Sequence, residues 1–253
     1  MADNNPDSTS FGISSAAYET GRPLYPAQAV QWMLEPVAGR RPCAVVADVG
    51  AGTGKLTRAA VAQGCDVVAV DPDRAMLVTL REAVSAVPAL VGTAESLPLA
   101  DQCVDAVLFG QAWHWVQPRA GSREAARVLR PGGVLGLIWN LRDDSLPWVR
   151  RLNAALPAGA VEEMFASGGP RIAPPFCGLQ EQTWSWTRQL NRTQLADSVR
   201  SRSAFITAPI EQRRAINDYL DRLCRDLGLE NDIDTIDLPY LTRAYRVQQA
   251  RYG

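Results

Sequence analysis

The stretch Asp48-Val49-Gly50-Ala51-Gly52-Thr53-Gly54 joins a carboxylate to three glycines at alternate positions. Glycines lack the Cβ atoms that hold a ligand off the backbone, so such a turn between a strand and a helix lets a bound molecule come close to the main chain. Turns of this kind serve several cofactors, and some are only tight turns. Asp71, before Pro72, ends the next strand-like segment. There a carboxylate can accept hydrogen bonds from both hydroxyls of a ribose, or it can cap the following helix, since Asp-Pro starts helices well. His114, the only histidine, stands between Trp113 and Trp115 in Phe109-Gly110-Gln111-Ala112-Trp113-His114-Trp115-Val116. It is a candidate general base or, alternatively, a polar orienting group.

Further along, Arg142 suits a carboxylate-bearing ligand, although an ion pair with Asp143 or Asp144 is the commoner fate of such a residue. Trp113, Trp115, Trp139, Trp148, Trp184 and Trp186 can wall a pocket for a cation or fill core. Cys43, Cys65, Cys103, Cys177 and Cys224 are odd in number and form no CxxC pair, so neither a disulfide framework nor a metal site is expected. That usage fits a reducing, cytoplasmic setting.

The elements that must position these residues follow from apolar patterning. Cys43 to Val49 is a continuous apolar run, as in a strand covered on both faces. Gly54 to Gln63 reads as helix and Asp66 to Val70 as the second strand. Asp73 to Val84 is a second helix, with Met76, Leu77, Leu80 and Val84 at helical spacing. Short strands follow at Ala89 to Val91, Cys103 to Phe109 and Gly133 to Trp139. A helix over Arg119 to Leu129, stopped by Pro131-Gly132-Gly133, separates the last two. Pro26 to Val37 is expected to add a helix ahead of the sheet.

Alternating strand and helix means a parallel sheet with crossover helices. Beyond residue 140 the alternation lapses. Helices are expected at Pro147 to Leu156, Val161 to Ser167 and Pro209 to Leu227, and strands at Gln180 to Gln189 and Leu238 to Val247. A chain of 253 residues, 47% apolar and 21% charged, can bury one large core. We therefore expect a single domain over 15–253 after a frayed tail at 1–14, with its core at 40–140. A lid and substrate region containing the sixth strand is expected at 141–235, and the last strand at 236–250.

A formal charge of −1 disfavours a nucleic-acid partner, which would require a clustered basic face. No apolar stretch reaches the ~18 residues of a membrane helix. The polar start MADNNPDSTS carries no apolar run of the kind that marks a signal or transit peptide. Lys55 is the only lysine, which reads as coding bias.

Over residues 15–140 the chain resembles the class I S-adenosylmethionine-dependent methyltransferases of the small-molecule, type 11-like kind. That family carries an acid followed by GxGxG, as Asp48 to Gly54 does. The dinucleotide pattern GxGxxG is not met, because Lys55 stands where its third glycine belongs. Val70-Asp71-Pro72-Asp73-Arg74-Ala75-Met76-Leu77 resembles the ribose-binding segment, whose Met packs on adenine, and Gly92-Thr93-Ala94-Glu95-Ser96-Leu97-Pro98 the adenine-edge turn, with Thr93 where the family has Asp. Arg127-Val128-Leu129-Arg130-Pro131-Gly132-Gly133-Val134-Leu135 matches the family's helix-turn-strand, and Ala17-Tyr18 with Arg22-Pro23-Leu24-Tyr25-Pro26 a segment folding over the cofactor.

The resemblance implies a Rossmann-like α/β fold: a seven-stranded, mostly parallel sheet, helices on both faces, and a helical lid inserted near the C-terminus. It implies S-adenosylmethionine as cofactor, held by Tyr18, Arg22, Asp48, Gly50, Ala51, Gly52, Asp71, Pro72, Met76, Thr93, Ala94, Glu95 and Gln111. A small-molecule acceptor would lie near His114, Trp113, Trp115 and Arg142, in a monomer or homodimer without metal. An NAD(P)-dependent oxidoreductase and a non-catalytic S-adenosylmethionine-binding protein are the competing readings.

Overall fold

In the computed structural model, residues 19–249 are described; the tail expected over 1–14 and Tyr18 lie outside them. The apolar runs become β1 (Val45–Val49), β2 (Asp66–Asp71), β3 (Ala89–Val91), β4 (Val104–Gly110), β5 (Leu129–Arg142), β6 (Gln180–Leu190) and β7 (Ile236–Gln248). They form a mixed seven-stranded sheet in the order β3-β2-β1-β4-β5-β7-β6, mostly parallel with one antiparallel hairpin. β1 pairs in parallel with β2 on one side and β4 on the other. The chain direction across the sheet thus reverses at β1 and β4, which opens a crevice at their carboxyl ends.

The described residues form two compact units. One takes in Leu24–Asn140, Met164–Trp184 and the described chain from Thr242; the other takes in the described chain to Pro23, Leu141–Glu163 and Ser185–Leu241. The first holds α1 (Ala27–Leu34), α2 (Lys55–Ala62), α3 (Arg74–Ala83) and α4 (Pro118–Val128). Its core interleaves Ala29, Val30 and Met33 of α1 with Val46, Ala106, Leu108, Val134 and Ile138 of the sheet. The helical spacing in α1 is what puts those apolar residues on one face.

The second, helix-rich unit contains α5 (Pro147–Ala154), α7 (Arg192–Arg200), α8 (Ser203–Ile206) and α9 (Ile210–Asp226), while α6 (Ala160–Ala166) has residues in both units. This unit has a core of its own, formed by Val149, Leu152, Leu195, Val199, Ile216, Leu220 and Leu223 among others. Nothing in the sequence reading anticipated α7 or α8. α7 carries few apolar residues, so its periodicity is faint, yet a capping box marks its start: Asn191 accepts from the Gln194 N–H (2.9 Å) and Gln194 accepts from the Asn191 N–H (3.1 Å).

One boundary also moves. The helix expected to run to Leu129 and stop at Pro131-Gly132-Gly133 ends at Val128, and β5 begins at Leu129, so that triplet lies inside the strand. The pairing explains it: Val104 faces Leu129 and Ala106 faces Val134, leaving Arg130 to Gly133 as a bulge opposite Asp105. Gly132 takes φ 75°, a conformation that suits glycine at such a bulge.

Candidate active site at the strand tips

β1 ends in a loop whose three glycines all lie in the left-handed region: Gly50 at φ 68°, Gly52 at 54° and Gly54 at 86°. L-residues adopt that region only at a cost, which is why the motif needs glycine. A Cβ at Gly50 would also stand 2.5 Å from the Ala112 Cβ, where the segment after β4 passes. The loop is tied to the tip of β2: Gly50 N–H donates to the Val70 carbonyl (2.8 Å), Ala51 N–H to the same oxygen (3.2 Å) and Gly52 N–H to Asp71 Oδ2 (2.8 Å). Three loop donors are thereby spent on β2, so the main chain is opened to a ligand by its missing side chains more than by free N–H groups.

Asp71 accepts at both carboxylate oxygens, the second from the Asp73 N–H at 2.8 Å. The helix cap itself is Asp73, which accepts from Ala75 N–H (2.8 Å) and Met76 N–H (3.4 Å). Asp71 is therefore not the cap that Asp-Pro allowed; it stands two residues before the cap, Asp73. Each Asp71 oxygen keeps a further lone pair, the capacity a ribose diol requires. Burial pushes the Asp71 carboxyl up to about 6 against the pull of the two N–H groups.

Asp48, wholly buried in β1, accepts from Thr57 Oγ1 at 2.5 Å, while its other oxygen has no hydrogen-bond partner among the described residues. Burial raises its carboxyl to about 7, with the charge of Asp71 adding to the shift and Thr57 opposing it. A buried acceptor without a donor costs free energy until one arrives. A cationic N–H donor beside these two carboxylates fits that deficit, as the ammonium of S-adenosylmethionine would.

Beyond β3, Thr93 and Ser96 close a turn (Ser96 N–H to Thr93 carbonyl, 3.2 Å) that leaves Thr93 exposed and Ala94 buried. Glu95 accepts from the Gln117 N–H at 2.9 Å, fixing this turn to the start of α4. Met76 is buried on α3.

At the tip of β4, Gln111 is a non-glycine residue at φ 57°. Such a conformation costs ~1–3 kcal/mol and persists where surrounding bonds impose it. Here Gln111 N–H donates to the Ile138 carbonyl (2.9 Å) and its side-chain Nε2 to the Asn140 carbonyl (3.2 Å). Asn140, which no motif or spacing singles out, accepts from Thr242 Oγ1 (2.6 Å) and donates to the Leu24 carbonyl (3.2 Å). One buried amide thus ties the segment before α1 to β5 and β7.

A short 3-10 turn, Trp113–Trp115, follows. Trp113 is buried edge-on to Phe109 and its indole donates to the Arg171 carbonyl (2.9 Å). Trp115 stays half-buried beside the His114 ring. His114 Nδ1 accepts from the Trp139 indole at 3.4 Å. Trp139 itself is core, edge-on to Phe165 and Tyr245.

Arg22 and Arg142 belong to the helix-rich unit. Arg22 donates to the Ser201 carbonyl (3.0 Å). Arg142 makes no ion pair with Asp143 or Asp144; it is half-buried and donates to Asn153 Oδ1 (3.2 Å) and the Ser198 carbonyl (3.0 Å). The other expected contacts among the described residues, with His114, Trp113 and Trp115, sit in the sheet unit: at or beside the tips of β1, β2 and β4, on the first turn of α3 (Met76) and in the turn after β3.

Residues 47–137 match the methyltransferase domain family. An uncharacterized methyltransferase of Mycobacterium tuberculosis is 45% identical over 248 residues, covering 96% of this chain and 97% of its own length. Another from Schizosaccharomyces pombe is 32% identical over 240 residues, 93% of this chain and 95% of its own. A solved structure of a proposed type II methyltransferase from Anaeromyxobacter dehalogenans shares the fold, with a TM-score of 0.69 at 22% identity over 91% of this chain and 99% of that one. These likenesses displace the oxidoreductase reading, as Lys55 in place of a third glycine already argued. With its glycine loop pinned to Asp71 and near-full-length likeness to methyltransferases, the chain belongs to the class I S-adenosylmethionine-dependent methyltransferases.

Proposed function

We propose that the protein transfers a methyl group from S-adenosylmethionine to a small-molecule acceptor by in-line displacement. The observation that carries this reading is the doubly accepting Asp71 fastened to the left-handed Gly50–Gly54 loop. When bound, S-adenosylmethionine supplies an electrophilic methyl group on a sulfonium. Asp71 is then positioned to hold the ribose, and Asp48 to offer its unpartnered oxygen to a cationic group. Pro72, Met76, Thr93, Ala94 and Glu95 would frame the adenosine. Displacement of this kind needs no metal and no strong base, so orientation and exclusion of water supply most of the rate.

His114 is better suited to orienting the acceptor than to taking its proton. With Nδ1 accepting from Trp139, the neutral imidazole carries its hydrogen on Nε2, which makes that nitrogen a donor. A small acceptor is favoured over nucleic acid by the formal charge of −1.

Calorimetry with S-adenosylmethionine and NADP, followed by labelled methyl transfer into fractionated cell extract, tests the reading. Saturable binding of the first alone and label in the small-molecule fraction are expected. No binding in the millimolar range would sink the cofactor assignment, and label in nucleic acid or protein would sink the acceptor assignment. For His114→Gln, an orienting role predicts a fall in kcat of less than about a hundredfold, because losing a general base costs ~10²–10⁴.

A further inference from the structure

Arg142 has no task in the chemistry above, and its surroundings are short of negative charge. It is half-buried, and its hydrogen-bond acceptors, Asn153 Oδ1, the Ser198 carbonyl and, at 3.5 Å, the Ser198 hydroxyl, are all neutral. Arg202, just beyond α7, pairs with Glu162, and Arg22 donates to the Ser201 carbonyl. Three guanidinium groups therefore gather at the C-terminal end of α7, between Ser198 and Ser201, all within the helix-rich unit.

Part of this is ordinary capping, since helix C-terminal carbonyls attract cations. Capping does not balance the charge of Arg142 and Arg202: the terminus is worth about half an elementary charge, and among the described residues Glu162 is the carboxylate whose field reaches both. Burial and then the nearby Arg202 hold Arg142 down at about 9, still ionised at neutral pH. Arg202 is lowered as well by burial and by Arg22, against the pull of Glu162. The Ser201 hydroxyl is fully buried there with no hydrogen-bond partner among the described residues. A desolvated guanidinium that lacks a carboxylate is relieved by an anion, and its planar fork matches an oxyanion that accepts two N–H groups.

We propose that Arg142 and Arg202, with Arg22 beside them, form an oxyanion-binding site in the helix-rich unit that takes the carboxylate or phosphate group of a small acid. Glu162 occupies Arg202 in the free protein and competes with that anion. The site stands independently of the methyl-transfer reading, although an acid bound there becomes the first compound to try as acceptor.

Full-length protein should be titrated with malonate, with inorganic phosphate and with neutral malonamide at constant ionic strength, and S-adenosylmethionine binding measured separately on every variant. Saturable binding of malonate or phosphate, but not malonamide, is expected; malonate alone assigns a carboxylate ligand and phosphate alone a phosphate ester. Arg142→Gln and Arg202→Gln should each weaken the anion at least about tenfold and leave S-adenosylmethionine binding unchanged. Glu162→Gln should tighten it about threefold or more, a gain that misfolding does not produce. Absence of saturation by either anion, wild-type affinity in both Gln variants, or weaker binding in Glu162→Gln would overturn the proposal.

Discussion

At the strand tips the polar atoms that shape the site are mostly main chain: the N–H groups of Gly50, Ala51, Gly52 and Asp73, set by a contiguous loop and one strand end. In the helix-rich unit they are the ends of long side chains brought from residues 22, 142 and 202 to one helix terminus. A backbone-built site is exacting about Cβ atoms and φ angles and indifferent to surface charge. A site made of guanidinium heads tolerates backbone change and responds to a single charge. Substitutions that separate those two sensitivities test the contrast.

The largest effect is expected for Gly50→Val. It forces a β-branched residue to φ 68° and drives its Cβ onto Ala112, two penalties of about 1–3 kcal/mol each. Denaturant unfolding should register their sum and S-adenosylmethionine binding should vanish. A stable variant that still binds would break the backbone account.

Asp71→Asn comes next. An amide can accept with its oxygen alone, so its NH₂ must oppose either Gly52 N–H or Asp73 N–H. Loss of charged hydrogen bonds worth ~1.5–3 kcal/mol should weaken cofactor binding tenfold or more by calorimetry.

The same two carboxylates make stability depend on pH. Asp71 and Asp48 are raised to about 6 and about 7 in the folded protein, so the fold binds protons that the unfolded chain has released above ~4. Their contribution is fully present below that value and is lost as pH rises through 6 to 7. The unfolding midpoint of the cofactor-free protein should therefore fall across pH 4 to 7, and a flat or rising profile there would remove the buried acids from the account. In the helix-rich unit Arg188→Ala deletes bonds to the Gly21 and Thr20 carbonyls (2.9 and 2.6 Å). It should cost about 1–2 kcal/mol and expose amides near residue 20 to exchange, with cofactor affinity kept; lost affinity would blur the contrast.

The sheet region was legible because its instructions are local. Apolar runs placed the strands of β1 to β5 to within a few residues, and three alternate glycines marked the loop. The bulge at Arg130 to Gly133 escaped because a Pro-Gly-Gly triplet reads as a stop, and only pairing with β4 shows it inside a strand. α7 escaped because its apolar stripe is thin, although Asn191 and Gln194 signalled its start. Asp71 was found, whereas its neighbour Asp73 took the capping role.

By itself the sequence determined the order of strands and helices from α1 to β5, the need for left-handed glycines after Asp48, and a carboxylate at the end of the second strand. Each depends on residues a few positions apart, whose sterics and backbone hydrogen bonds are settled locally. Tertiary structure alone decided that Asn140 joins Leu24, Gln111 and Thr242, that the Trp139 indole meets His114 Nδ1, and that Arg22, Arg142 and Arg202 share one helix end. Those side chains lie far apart along the chain and acquire their partners only once packing has closed the distance and burial has raised the cost of leaving a charge or amide unmatched.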